Sequence, residues 1–105
     1  MTAYQLLDPA GLQALLQGGA PAQLVDVRSA AETARGVIAG ALHIELAALP
    51  ARAAELDPEL PCVLYCLSGA RSAQGCVYLA QRGFRHLYHL DGGVAAWAKA
   101  GLPVR

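Results

Sequence analysis

The 105-residue chain has no long apolar run, no cluster of basic residues and no excess of charge of either sign. Eight basic and eight acidic residues balance, so we expect no nucleic-acid partner. No segment reaches membrane-spanning length and the N-terminus lacks a charged and apolar leader, so we expect no membrane contact and a cytoplasmic location. The apolar share of 55% argues against disorder and predicts one compact domain over residues 1–105.

Cysteine is scarce as well, and its spacing excludes two kinds of site. Three cysteines without a close CxxC pair indicate neither a disulfide framework nor a zinc site. On one strand, Cys62 and Cys66 would be roughly 13 Å apart, and Cys76 lies over two turns into the next predicted helix. We therefore expect Cys66 to have no disulfide partner. The histidines lack metal-ligand spacing, so we predict no metal and interpret them as surface or hydrogen-bonded core residues: His43, His86 and His89.

Short strand-like runs alternate with helical patterns along the whole chain. Strands are predicted at 24–27, 62–65 and 86–90, with a shorter strand within 37–44 and an edge strand at 4–6. Helices are predicted between Asp8 and Gly18, after Ser29, within 45–56 around Pro50, after Cys66, and before Gly101. Two apolar helix faces are predicted: Leu12, Leu15 and Leu16, and Ala73, Cys76, Val77 and Ala80. This alternation predicts an α/β fold with a mostly parallel sheet flanked by helices.

Polar residues follow three of the predicted strands. In open parallel sheets, sites lie beyond the carboxyl ends of the strands, so these residues are expected to converge at one edge. Asp26 sits in an apolar strand and needs a partner, since an unpaired buried carboxylate is unfavourable. Arg28 is a candidate partner for Glu32, although Glu32 also completes a capping box with Ser29. We predict a scaffold role near the site for Asp26, Arg28, Glu32, Asp91, Gly92 and Gly93.

Cys66 ends the apolar run 62–65 and is followed by a loop of small residues that leads into a helix. The amides of such a loop can surround the sulfur, lower the pKa of the thiol and raise its thiolate fraction. Gly69 suits a position of unusual φ, and Arg71 supplies a fixed positive charge. The alternative is an inert buried cysteine. We predict a nucleophilic Cys66 with an anion-binding loop formed by Leu67, Ser68, Gly69, Ala70, Arg71 and Ser72.

The chain resembles a single-domain rhodanese-like sulfurtransferase over nearly its whole length. The matching segments, in order, are Leu24-Val25-Asp26-Val27-Arg28 with Glu32, Gly36 with Ile38-Ala39-Gly40-Ala41, Cys66 to Ser72, and Leu90-Asp91-Gly92-Gly93 with Trp97. It departs from the family at Val37, where histidine is frequent, and at Ala39, where proline is frequent.

The resemblance implies a five-stranded parallel sheet and a catalytic Cys66 that carries a persulfide. The implied donor is thiosulfate or a persulfide, and the implied acceptor is cyanide, a thiol or a protein. The resemblance implies no cofactor besides the covalent persulfide, and the sequence leaves the oligomeric state open between a monomer and a weak dimer. Two displacement steps on Cys66 would give ping-pong kinetics.

Two other functions are compatible with this architecture. A phosphatase or arsenate reductase of the related fold also uses a cysteine and an arginine, but with one residue more between them than the four that separate Cys66 from Arg71. A non-catalytic docking or sulfur-relay module is the second alternative. Such modules have usually lost the cysteine, so the intact Cys66 loop favours the sulfurtransferase.

Overall fold

The computed structural model describes residues 3–105, in which strands and helices alternate as the sequence predicts. The strands are β1 (Gln5–Leu7), β2 (Gln23–Asp26), β3 (Leu42–His43), β4 (Cys62–Tyr65) and β5 (Leu87–Leu90). The helices are α1 (Pro9–Gln17), α2 (Ala30–Thr33), α3 (Leu49–Arg52), α4 (Ala70–Gln81) and α5 (Gly93–Lys99). Short 3-10 turns, Leu46–Ala48 and Ala53–Glu55, flank α3.

The strands form one five-stranded sheet in the order β1-β5-β4-β2-β3, and every pairing is parallel. The predicted α/β fold is therefore confirmed. Parallel pairing directs the carboxyl ends of all the strands toward one edge. Asp26 pairs with Tyr65 in the register, so the segment after β2 and the segment after β4 start side by side. The predicted convergence of strand ends is confirmed.

Local sequence signals account for most helix boundaries. Asp8 caps α1, with its Oδ1 accepting a 2.7 Å hydrogen bond from the amide of Gly11, and Pro9 occupies the first turn. Pro50 opens α3 instead of breaking a longer helix. One expectation for α1 is wrong, because Leu16 is 38% exposed while Leu12 is fully buried.

The buried face of α4 differs from the predicted one by about one residue. Val77, expected inside, is 45% exposed. The buried residues of α4 are Ser72, Gly75, Cys76 and Leu79. Gly75 explains the difference, since a Cβ there would lie only 2.5 Å from Cδ2 of Leu64. The helix thus packs on the sheet through small residues, which hydrophobic periodicity does not detect.

The core consists of one apolar layer on each face of the sheet. Along β4 the side chains alternate, so Leu64 joins the layer under α3 and α4, while Val63 and Tyr65 join the layer under α1 and α5. Cys66 belongs to the first of these layers, at the end of β4. Trp97 packs in the second, as predicted for a core residue. No helix within residues 3–105 is long and apolar enough to cross a membrane.

Candidate active site

Cys66 lies at the point where β4 ends and the loop to α4 begins. Its side chain is nearly enclosed, and the amide of Gly69 donates a hydrogen bond to Sγ at 3.0 Å. Gly69 has φ +124°, a conformation that side-chain-bearing residues rarely adopt, so the glycine allows the amide to face the sulfur. Burial alone would raise the pKa of Cys66, but hydrogen bonds from Ser72, Gly69 and Ser68 outweigh it and lower the pKa below its ordinary value.

Ser72, in the first turn of α4, is the second polar contact of the sulfur. Its Oγ lies 3.6 Å from Cys66 Sγ and donates to the carbonyl of Gly69 at 3.0 Å. The same Oγ lies 3.2 Å from Nδ1 of His89 on β5. All three side chains are buried, so these contacts form away from bulk water.

The first turn of α5, which follows Asp91-Gly92, holds the Cys66 loop from the other side. The amides of Val94 and Ala95, in the first turn of α5, donate to the carbonyls of Cys66 and Leu67 at 2.9 and 3.1 Å. A Cβ on Gly93 would lie 2.4 Å from the Leu67 carbonyl oxygen, so only glycine permits this approach. These contacts engage the carbonyls of Cys66 and Leu67, while the amides of Ser68, Gly69 and Ser72 hydrogen-bond to the sulfur.

Arg71 does not present a free charge to the loop. Its guanidinium forms two hydrogen bonds with the carboxylate of Glu32, at 2.6 and 2.8 Å. Arg71 and the Ser29 amide lower the pKa of Glu32 to about 2. The predicted capping box is confirmed, because Glu32 accepts from the Ser29 amide and Ser29 Oγ accepts from the Glu32 amide. The expected pairing of Glu32 with Arg28 is wrong.

Arg28 instead supplies the partner that Asp26 requires. The two side chains form a salt bridge of 2.7 Å, and both are almost completely buried. Arg28 Nη2 also donates to the carbonyl of Gly36 at 2.7 Å. The guanidinium carbon lies 5.5 Å from the ring centroid of Tyr65, whose hydroxyl accepts from the amide of Ile38. This buried network joins β2, β4 and the segment before β3 beneath the site.

The other two cysteines have a different environment from Cys66. Cys62 and Cys76 are buried, and burial raises the pKa of each thiol to about 12. Among the described residues all three cysteine thiols are free. Within residues 3–105 no group of three or more His, Cys, Asp or Glu side chains is arranged to hold a metal ion.

His89 is the residue near the site whose position the sequence did not reveal. It is a buried, hydrogen-bonded histidine, as expected, but its partner is Ser72 beside Cys66. The available signal was its place on the last predicted strand, next to the carboxyl end, where parallel-sheet sites gather. Which neighbouring element it faces depends on the packing of α4 over β5.

Comparisons with known proteins agree with this architecture. Residues 8–100 match the family model described as rhodanese-like domain. A protein of Allochromatium vinosum named sulfurtransferase is 46% identical over 81 residues, which cover 77% of this chain and 76% of that protein. The thiosulfate sulfurtransferase GlpE of Stutzerimonas stutzeri is 33% identical, over 92% of this chain and 87% of its own.

The fold is similar to that of solved structures as well. The crystal structure of a rhodanese-like domain protein from Staphylococcus aureus has a TM-score of 0.86 and 30% identity, covering 96% of this chain and 98% of its own. The family match and the sulfurtransferase relatives support a sulfurtransferase activity. Because the family model matches most of its length, the chain belongs to the rhodanese-like domain family.

Proposed function

We propose that this protein transfers sulfane sulfur through a persulfide on Cys66. The thiolate attacks the outer sulfur of a donor such as thiosulfate, an S–S bond forms to Sγ, and sulfite leaves with the electron pair of the broken bond. An acceptor thiolate or cyanide then attacks the terminal sulfur, and Cys66 leaves as a thiolate. The observation that carries the proposal is the amide of Gly69, 3.0 Å from Sγ in a loop whose carbonyls of Cys66, Leu67 and Gly69 accept hydrogen bonds from other backbone amides.

This arrangement stabilises an anionic sulfur. Backbone N–H groups bind an anion without a counter-charge, because they form a concave set of oriented dipoles. Both the resting thiolate and the persulfide carry one negative charge, so the same loop supports each state. The lowered pKa of Cys66 has the sign that a nucleophilic thiol requires, whereas Cys62 and Cys76 have raised values. We therefore assign the transfer to Cys66 alone.

The phosphatase alternative is less well supported. A tetrahedral oxyanion needs a wide loop and a guanidinium able to form two hydrogen bonds with it. The loop here has only four residues between Cys66 and Arg71, and the guanidinium of Arg71 is already occupied by Glu32. A single sulfur atom needs neither feature. The geometry therefore favours sulfur transfer over phosphate-ester hydrolysis.

The charges around the Cys66 loop affect which sulfur donor binds well. Arg71 is paired with Glu32, Arg28 is paired with Asp26, and Leu67 is an apolar side chain 48% exposed beside the nucleophile. A dianion such as thiosulfate thus meets no uncompensated cation in the loop. We propose that thiosulfate is a usable donor of low affinity and that a persulfide of lower charge is the better one. The acceptor is a thiol, which cyanide replaces in an assay.

Intact-protein mass spectrometry tests the proposal. After incubation with thiosulfate or a thiol persulfide and removal of excess donor, the protein is expected to gain roughly 32 Da, the mass of one sulfur. The Cys66→Ser variant should gain nothing, while Cys76→Ser, the matched control, should gain the same mass as the unmodified chain. Absence of the adduct with both donors would contradict sulfur transfer and favour a docking module. Cys66-dependent hydrolysis of a generic phosphate ester would favour the phosphatase.

A further inference from the structure

His89 contacts Ser72, whose hydroxyl in turn lies beside the nucleophilic sulfur of Cys66. Nδ1 of His89 lies 3.2 Å from Ser72 Oγ, which lies 3.6 Å from Cys66 Sγ. Only 7% of His89 is exposed, so water does not substitute freely for this contact. The series Cys66, Ser72, His89 therefore crosses from β4 to β5 through the first turn of α4.

Ser72 has a single hydroxyl proton and more than one acceptor around it. The carbonyl of Gly69 lies 3.0 Å from Oγ, Nδ1 of His89 lies 3.2 Å away, and the sulfur lies 3.6 Å away. An unprotonated Nδ1 is an acceptor and competes for that proton. A protonated Nδ1 is a donor to Oγ, which leaves the hydroxyl proton for the carbonyl or the sulfur. The Gly69 carbonyl already accepts from the amide of Ala73 at 3.0 Å.

We propose that His89 is a positioning residue, which by donating from Nδ1 directs the hydroxyl of Ser72 toward Cys66 and so stabilises its anionic sulfur. The proposal rests on the function proposed above, in which Cys66 reacts as a thiolate and carries a persulfide. An anionic sulfur is a better acceptor than a neutral thiol, so the thiolate favours the protonated Nδ1. The two preferences reinforce each other, which couples the state of His89 to the reactivity of Cys66.

The surroundings of His89 determine the sign of its pH dependence. The titratable groups that face it are Tyr4, whose ring packs edge-on with centroids 5.2 Å apart, Asp91 just beyond β5, and Cys66 across Ser72. Burial lowers the pKa of His89 and Asp91 raises it by a smaller amount, so the net pKa is below 6.5. As the pH falls through its pKa, Nδ1 becomes a donor in every molecule.

Alkylation of Cys66 by iodoacetamide, measured from pH 4 to 9, tests the proposal because the rate follows the thiolate fraction. In His89→Leu the hydroxyl of Ser72 loses one hydrogen-bonding partner. Alkylation should then be about three- to tenfold slower than in the unmodified chain at pH values below the midpoint of its alkylation profile. In His89→Asn the amide can donate from a similar position, so most of the rate should return, without the contribution of a titrating imidazole at acid pH. The exposed His86→Asn serves as the matched control and should follow the unmodified chain.

The outcomes separate this proposal from the proposed function. Alkylation profiles of His89→Leu and His89→Asn that superimpose on that of the unmodified chain overturn the role of His89, even where the mass-spectrometric persulfide forms normally. A changed profile together with no persulfide on the unmodified chain supports the coupling but overturns sulfur transfer. If His89→Leu does not fold, His89→Asn decides, since an unchanged acid limb in that variant contradicts the proposal.

Discussion

The buried pair of Asp26 and Arg28 gives the sharpest stability prediction. Asp26→Asn preserves the size of the side chain but removes its charge, and it leaves the guanidinium of Arg28 buried without a counter-ion. Four hydrogen bonds join the two residues, three of them between the side chains' charged groups and one from the Arg28 amide. Breaking a buried ion pair from one side typically destabilises a protein by about 3–5 kcal/mol.

That magnitude is large compared with the stability of a small domain. The free energy of unfolding is commonly about 5–15 kcal/mol, so the variant would lose roughly a fifth of it or more. For a chain of this length the unfolding entropy near 60 °C is about 0.22 kcal/mol per degree, which converts the loss into a decrease of roughly 14–23 °C in Tm. Urea denaturation at pH 7, followed by circular dichroism, measures the free energy directly.

A double-variant cycle shows whether the pair itself is responsible. Arg28→Met alone leaves the Asp26 carboxylate unpaired, whereas Asp26→Asn combined with Arg28→Met buries no unpaired charge. We therefore expect the double variant to lose less stability than the sum of the two single losses. Glu55→Gln, which disrupts the exposed pair with Arg52, is the control and should leave Tm nearly unchanged. A loss below about 1 kcal/mol for Asp26→Asn, or strict additivity, would refute the reasoning.

The remaining predictions concern the loop, its supporting residues and the cysteines. Glu32→Gln should lower the KM for thiosulfate in a cyanide assay, because it frees the charge of Arg71. The pKa of Glu32 is about 2 in the folded protein and 4.5 in the unfolded chain, so its stabilising effect should be complete above pH 4.5 and lost as the pH falls toward 2. Denaturation should therefore show that the stability deficit of Glu32→Gln fades over that pH range. Gly93→Ala should have a larger effect on the persulfide yield than on Tm. The new Cβ would lie 2.5 Å from the carbonyl oxygen of Cys66 and would displace the loop there. At pH 8, peptide mapping after brief alkylation should find Cys66 modified and Cys76 intact, and equal labelling would contradict the assigned pKa directions.

Local features of the site could be predicted from sequence because they depend on residues close together in the chain. Ser29 and Glu32 form their capping box at the expected spacing, and Gly69 has the unusual φ that its place in the loop implies. Parallel pairing then places the ends of β2, β4 and β5 at one edge. These predictions needed only short-range geometry and the rule that parallel strands share a direction.

Pairings between distant segments could not be predicted in the same way. Glu32 reaches Arg71 across 39 positions, and Ser72 reaches His89 across 17. Sequence spacing offered Arg28 as a partner for Glu32, since the two are close in the chain. Arg28 pairs with the buried carboxylate of Asp26 instead, because an unpaired charge in the interior would be far less favourable than one at the surface.

The sequence by itself determined the alternation of strands and helices, the family, and the position of Cys66 at the junction of a strand and a helix. Only the tertiary structure decided which charged side chains near the sulfur are paired and which side chain hydrogen-bonds to Ser72. The physical reason is that periodicity and capping are local, whereas the strand order β1-β5-β4-β2-β3 brings β5 beside β4 and lets α4 pack over both. Gly75 permits that close packing, because a Cβ there would lie 2.5 Å from Cδ2 of Leu64.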